Sequence, residues 1–389
     1  MPSLVACTKK APPVVETDAG GAASAPTPKT KRPSTTSWSI AGENLDSQVE
    51  GALGRDFSKP KDAAGLVELL LARGQFVSRI GDYERADDIA QRVAKDNPKS
   101  VDALRARAST HATFHRWDDA TKDLDEAEAL GAPPGKLASA RGSIAMGRGL
   151  YDEAAKYIKD DAWDASDIAM AAVLAGFRQK HADAQRLFDK ARATFRDVSP
   201  FPIAWMAFER ARWLEAQGKS EEARQWYEEA LDAIPIYAHA ATHLAPNDPP
   251  EKAIARLEPI AKTSDDPDVL AALADAHQRA KHDDEAKKLT ERARARYEEL
   301  LKRHPEAFSD HAARFYLKQG DAKRALGLAQ ANAKNRSTEE ALDLLLGAAT
   351  GANDKAAMCD AATKMNALQY ASADRKRLAA ATLTSCTAK

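Results

Sequence analysis

Residues 66–98 read LVELLLARGQFVSRIGDYERADDIAQRVAKDNP. Two stretches with helical apolar spacing flank a short polar break. The first is expected to run as a helix to about Arg79. A turn follows at Gly81 and Asp82, where glycine can take the left-handed backbone that closes a helix without a side-chain clash. The second helix runs to about Ala94 and stops at Asp96, Asn97 and Pro98, since proline cannot continue it. Tyr83 is expected to pack across the turn. Ala86 is expected at the point where the second helix crosses the first, where a larger side chain would force the pair apart.

That alanine returns. Ala86, Ala120 and Ala154 are 34 residues apart, twice over, and the series continues through Ala184, Ala223, Ala253, Ala286, Ala325 and Ala357. After the third unit the spacing drifts to 30, 39, 30, 33, 39 and 32. A period in this range marks stacked helical repeats. Other positions recur with it. The first unit carries Leu70, Gly74, Val77, Gly81, Tyr83, Ala90 and Pro98; the second Leu104, Ala108, Trp117, Leu124 and Ala127; the third Gly142, Gly149, Tyr151 and Ile158; the fifth Gly218, Tyr227, Ala230 and Pro235.

On these residues the chain resembles the tetratricopeptide repeat family. The resemblance implies an all-α fold, a right-handed α-α superhelix of about nine helix–turn–helix units over residues 62–368. Segment 37–61, with Leu45, Val49 and Leu53 every four residues, reads as an N-terminal cap. Segment 369–389 reads as a C-terminal cap helix and tail. Repeat arrays need such ends to cover their apolar faces.

Composition agrees with helix throughout: alanine-rich, 30% charged and 6% aromatic among 389 residues. With 57 Lys+Arg against 58 Asp+Glu the net charge is −1, which argues against a general nucleic-acid binder. No run of about 18 apolar residues is present to span a membrane.

The N-terminal tetrapeptide Leu4-Val5-Ala6-Cys7 resembles a bacterial lipobox, and the whole chain resembles a bacterial tetratricopeptide-repeat lipoprotein. Lipidation uses the thiol of Cys7, and segment 1–7 then reads as the remnant of a signal whose basic and apolar parts lie upstream of Met1. Segment 8–36 is rich in Pro, Ala and Thr and reads as a disordered tether of about 30 Å mean span. The alternative is an ordinary cysteine in a cytoplasmic tail. The remaining cysteines, Cys359 and Cys386, fall at one end of an antiparallel helix pair. They are expected either to form a disulfide or to stay reduced side by side.

Chemistry is sparse. His111 and His115, and again His239 and His243, are four apart and share a helix face, but no glutamate lies between them as a zinc protease requires. Packing is the better reading, and no metal or cofactor is expected. Asp123, Asp125, Glu126 and Glu128 read as a solvated helix face. No nucleophile motif or phosphate loop is present, so a non-enzymatic scaffold is expected. In the family the first helices of the units line a concave groove. Here that groove would present Arg79, Arg105, Met146, Phe177, Trp205, Phe208 and Arg212 to a protein or peptide partner, with no small-molecule substrate and no nucleic acid; the alternative is that Trp205, Phe208 and Trp213 fill core around a long, irregular repeat. The resemblance implies a lipid-anchored periplasmic scaffold at the outer membrane that supports an envelope complex. The alternatives are a soluble cytoplasmic adaptor and an accessory helical domain of an enzyme complex.

Overall fold

The computed structural model describes residues 33–55 and 57–387. Cys7, the lipobox and most of the 8–36 tether lie outside the described residues. Those described fold into twenty α-helices and one 3-10 turn, with no strand among them.

After α1 (Trp38–Leu53), nine antiparallel hairpins follow in series. They are α2 (Pro60–Val77) with α3 (Ile80–Asp96), α4 (Val101–Thr113) with α5 (Trp117–Ala129), and α6 (Pro134–Arg148) with α7 (Tyr151–Tyr157). Next come α8 (Ala165–Phe177) with α9 (His181–Thr194), α10 (Pro200–Ala216) with α11 (Ser220–Ala233), and α12 (Ala238–Leu244) with α13 (Pro250–Ala261). The last three are α14 (Pro267–Arg279) with α15 (Asp283–Arg303), α16 (Pro305–Lys318) with α17 (Ala322–Asn335), and α18 (Glu339–Gly351) with α19 (Lys355–Ala367). The helix α20 (Ala373–Thr387) closes the array. The described chain is thus an all-α array of repeated helix–turn–helix units. All nine recurrent alanines lie in the second helix of their hairpin and are buried. The uneven spacings have local causes. The two 30-residue intervals contain the seven-residue helices α7 and α12, and the 39-residue intervals contain the long α10 and α15.

Most hairpin turns are made the same way. In six of the nine the residue five before the alanine has left-handed backbone: His115, Gly149, Gln179, Gly218, Lys281 and Gly320, with φ between 57° and 84°. The sixth hairpin instead has Asp248 at φ −83°, and the ninth turns at Asn353, four before its alanine. The first hairpin departs from this rule and from the sequence expectation. Gly81 lies inside α3, and the left-handed residue is Ser78, φ 52°. The cause is remote. Asp265, in the loop before α14, accepts the N–H groups of Ile80 and Gly81 at 2.5 and 3.0 Å, and Ser264 donates to the carbonyl of Ser78. A carboxylate on the free N–H groups of a helix start lets α3 begin one turn early.

That contact belongs to a seam. Partners 184 to 220 residues apart, roughly five to six repeats on, join the first three hairpins to the last three. Arg296 and Arg303 at the far end of α15 pair with Glu84 of α3 at 3.4 and 2.7 Å. Burial would raise the Glu84 pKa, but His304, Arg296 and Arg303 hold it below the usual range. Phe114 stacks on His304 at 3.8 Å, the imidazole of His115 reaches the Glu306 carbonyl, and Asn335 donates to the His115 carbonyl. Ser337 N–H bonds the Arg148 carbonyl at 3.1 Å, and Tyr370 donates to Asp152 at 2.6 Å. The superhelix therefore closes on itself. At its N-terminal end the axis is filled: Phe76 lies 4.9 Å from Phe201 and 5.4 Å from Tyr237, and Trp38 of α1 meets Phe201 edge-on.

At the other end Cys359 of α19 and Cys386 of α20 are joined as a disulfide, Cα atoms 6.0 Å apart. The helix α20 is otherwise thinly held: within it only Ala379 is fully buried, and Leu378 is exposed.

Two outcomes check this architecture. Gly149→Ala and Gly218→Ala both place a side chain on left-handed backbone, costing about 1–2 kcal/mol each. At Gly149 the new Cβ also strikes the backbone carbonyl of Ser337 across the seam, whereas nothing lies within 4 Å at Gly218. Urea unfolding should show the Gly149 variant to be the less stable by at least about 1 kcal/mol; equal losses would mean the seam is open. Reducing the disulfide should remove about 3–4 kcal/mol of local stability, read as faster amide exchange in α20 while α2–α5 keep their protection.

Candidate functional site

Among the described residues the superhelix surrounds a large, partly open cavity of about 1820 Å³. Its walls are mainly the first helices of the later hairpins, α8, α10, α12, α14, α16 and α18, with α20 and the Gly149–Glu153 corner completing it. These helices face inward because the second helices, with their buried alanines, occupy the outer layer.

Two groups of polar side chains mark the inner wall. In the first, Glu215 of α10 accepts from Tyr227 of α11 at 2.7 Å and from His243 of α12 at 2.7 Å. Burial would raise the Glu215 pKa, but His243, Tyr227 and Arg212 bring it below normal. In the second, Asp268 of α14 accepts from Tyr297 of α15 and from His311 of α16, the latter at 2.5 Å. Nearby, burial pushes the carboxyls of Glu209, Glu339 and Asp343 upward against the pull of Arg212, Ser372 and Arg375 respectively. Asp266 caps α14 by accepting the Asp268 N–H at 2.8 Å; burial and the adjacent Asp268 push its pKa up to about 7.

The expected groove is only partly found. Of its seven residues only Phe177 and Arg212 line the cavity. Trp205 and Phe208 are 6% and 1% exposed and belong to the core, so they cannot serve as open anchors. Trp205 instead hydrogen-bonds Glu209, whose carboxylate also meets Arg212 at 3.3 Å. Met146 is buried as well. Arg79 precedes α3 and pairs with Asp46 at 3.7 Å, and Arg105 lies on α4, away from the cavity. The sequence reading named His243 but took it as packing, and it missed Glu215, Asp268, Tyr297, His311 and Arg314. Their only signal was a titratable or aromatic residue on the inner helices, which the repeat pattern does not distinguish from a core histidine or a solvated acid.

The histidine pairs are separated. His111 pairs with Asp123 at 2.9 Å, while His115 forms the turn and stacks on Trp117. His239 is half-buried and desolvation takes its pKa down to about 3, whereas His243 faces the cavity. Asp123 is not a solvated residue: it is 2% exposed, answered by Arg107 at 2.5 Å and by His111. No group of three or more His, Cys, Asp or Glu placed to hold a metal ion occurs among the described residues. No helix among them is long and apolar enough to cross a membrane.

No family model matches the chain, and no curated protein matches it. Among solved structures it is similar to the Cut9–Hcn1 hetero-tetramer of the APC/C, at 12% identity, over 90% of this chain and 89% of that chain, TM-score 0.33. It is also similar to the human IFIT1 dimer with m7Gppp-AAAA, at 16% identity, over 88% and 84%, TM-score 0.45. Superpositions at this level add nothing to the fold, which rests on the hairpins themselves.

Asp266 offers a check on the burial of this wall. An exposed aspartate ionises near 3.8, whereas this one keeps its proton to about 7. The folded state binds that proton more tightly, so the group withdraws stability as pH rises from about 4 to 7 and contributes no further change above. Asp266→Asn keeps the helix cap and removes the titration. Its stability relative to the parent should grow by on the order of 1–3 kcal/mol between acid and neutral pH in urea melts. A pH-independent difference would show Asp266 to be solvated.

Proposed function

We propose that the protein is a non-enzymatic binding scaffold that receives a segment of a partner polypeptide in its internal cavity. One observation carries the reading. The cavity, about 1820 Å³, exceeds the roughly 300–1,000 Å³ typical of small-molecule pockets. Its wall also mixes aromatic rings with separated polar groups, as an extended chain with varied side chains requires. Catalysis is a poorer fit. The tyrosine hydroxyls of both polar groups already donate to carboxylates, and neither group contains a serine or cysteine nucleophile.

The Leu4–Cys7 pattern supports a lipid anchor on Cys7, and the Cys359–Cys386 bond suits an oxidising compartment. We therefore place the scaffold at the periplasmic face of the outer membrane, in support of an envelope complex. Mass spectrometry of the membrane-extracted protein should find the diacylglyceryl group on Cys7; an unmodified thiol there favours the cytoplasmic adaptor.

Filling the cavity tests the binding role. Ala271 of α14 lines it and is only partly buried, so Ala271→Trp takes up space without entering the core. Partners captured by the wild-type protein should be lost on this variant, with its Tm within about 3 °C of the parent. Undiminished capture would place binding on the outer surface.

A further inference from the structure

The charges and orphan donors of the cavity narrow what it takes, given the cavity reading above. Among the described residues that line it are ten carboxylates against five arginines and lysines. Most of the acids are answered. Glu209 has Arg212, Asp275 has Lys318, Asp343 has Arg375 and Asp374 has Arg377. Glu153 and Glu340 are not: neither forms a hydrogen bond or ion pair among the described residues. Glu340 is half-buried, and its negative potential raises the pKa values of its neighbours Glu339, Asp343 and Tyr151 beyond the effect of burial. Tyr151 stacks flat on Phe177 at 5.1 Å, with Tyr370 edge-on at 6.1 Å, and all three rings line the cavity. Ring faces beside unpaired carboxylates attract an organic cation.

The same cavity also holds donors without acceptors. Nε and Nη2 of Arg314 and Nε1 of Trp213 are buried atoms with no hydrogen-bond partner. A buried donor left unmatched is costly and calls for an acceptor from outside the chain. A polyamine would bring positive charge but no acceptor. A phosphate or an acidic peptide would bring acceptors but face the surplus of carboxylates. An extended peptide with a basic side chain brings both.

We propose that the cavity binds an extended polypeptide segment bearing lysine or arginine. Its cationic head lies against the Tyr151–Phe177 rings beside Glu153 and Glu340, and its backbone carbonyls accept from Arg314 and Trp213.

Calorimetry on the full chain tests this with three probes: an acetylated, amidated heptapeptide alternating alanine and lysine, the same peptide with glutamate for lysine, and spermidine. The lysine peptide should bind at least about tenfold tighter than either of the others. The double variant Glu153→Gln, Glu340→Gln should weaken the lysine peptide about tenfold and flatten its salt dependence. Arg314→Lys, which keeps the charge but removes the guanidinium donors, should weaken the peptide and leave spermidine unchanged. Equal binding of the lysine and glutamate peptides, a match by spermidine, or an undiminished double variant that melts like the parent would each overturn the proposal. The two readings fail separately. If Ala271→Trp abolishes partner capture but the lysine peptide does not bind, the basic segment is wrong and the cavity stands. If the lysine peptide binds Ala271→Trp as it binds the parent, the cavity itself is not the site.

Discussion

A methyl group sets the architecture. At each helix crossing the second helix presents an alanine, and nothing larger fits between the two backbones at that point. Close crossing, repeated nine times with a left-handed residue five positions upstream in most turns, winds the array tightly enough for its successive turns to touch. The seam of Glu84, Asp265, Arg296, His304 and Ser337 exists because of that pitch, and so does the enclosed space at the C-terminal half. A more open crossing would leave the inner helices facing solvent and the acids of α10, α14 and α18 hydrated.

The interior is polar at a cost. Carboxylates withdrawn from water are tolerated only where donors answer them. Glu215 and Asp268 each have a tyrosine and a histidine, and Asp310 is held at a pKa of about 2, His311 and Arg336 outweighing its burial. A chain selected for stability alone would fill this space with leucine, as it fills the N-terminal end with Phe76, Phe201 and Tyr237. Clusters of perturbed acids beside a cavity are where binding or catalysis is to be sought.

The repeat was legible because its determinants are local. Ala86, Ala120 and most of the turn glycines lie within their own hairpins, and nine such hairpins stand in series, with Cys359 and Cys386 joined at the end. The site was not legible, because it depends on pitch. Trp205 and Phe208 have the composition of an exposed anchor, and contacts beyond their own helix turn them into core, Phe208 meeting Tyr227, Tyr237 and His243 of the following helices. Gly81 gave way to Ser78 for the same reason: its competitor, Asp265, is 184 residues away. Asp123 read as a surface acid because Arg107 and His111, which answer it, sit on the preceding helix.

The seam has an evolutionary consequence. An open repeat array behaves as a chain of nearest neighbours, and units can be gained or lost with little more than a change of length. Here the turn of one hairpin docks on a hairpin five to six units later. Deleting or duplicating an internal unit would put every later hairpin opposite the wrong partner, as a slipped thread misaligns the whole screw. Such a protein should fold as one cooperative body with long-range contacts, more slowly than an open array of equal size, and its relatives should vary in loops and caps but not in repeat number.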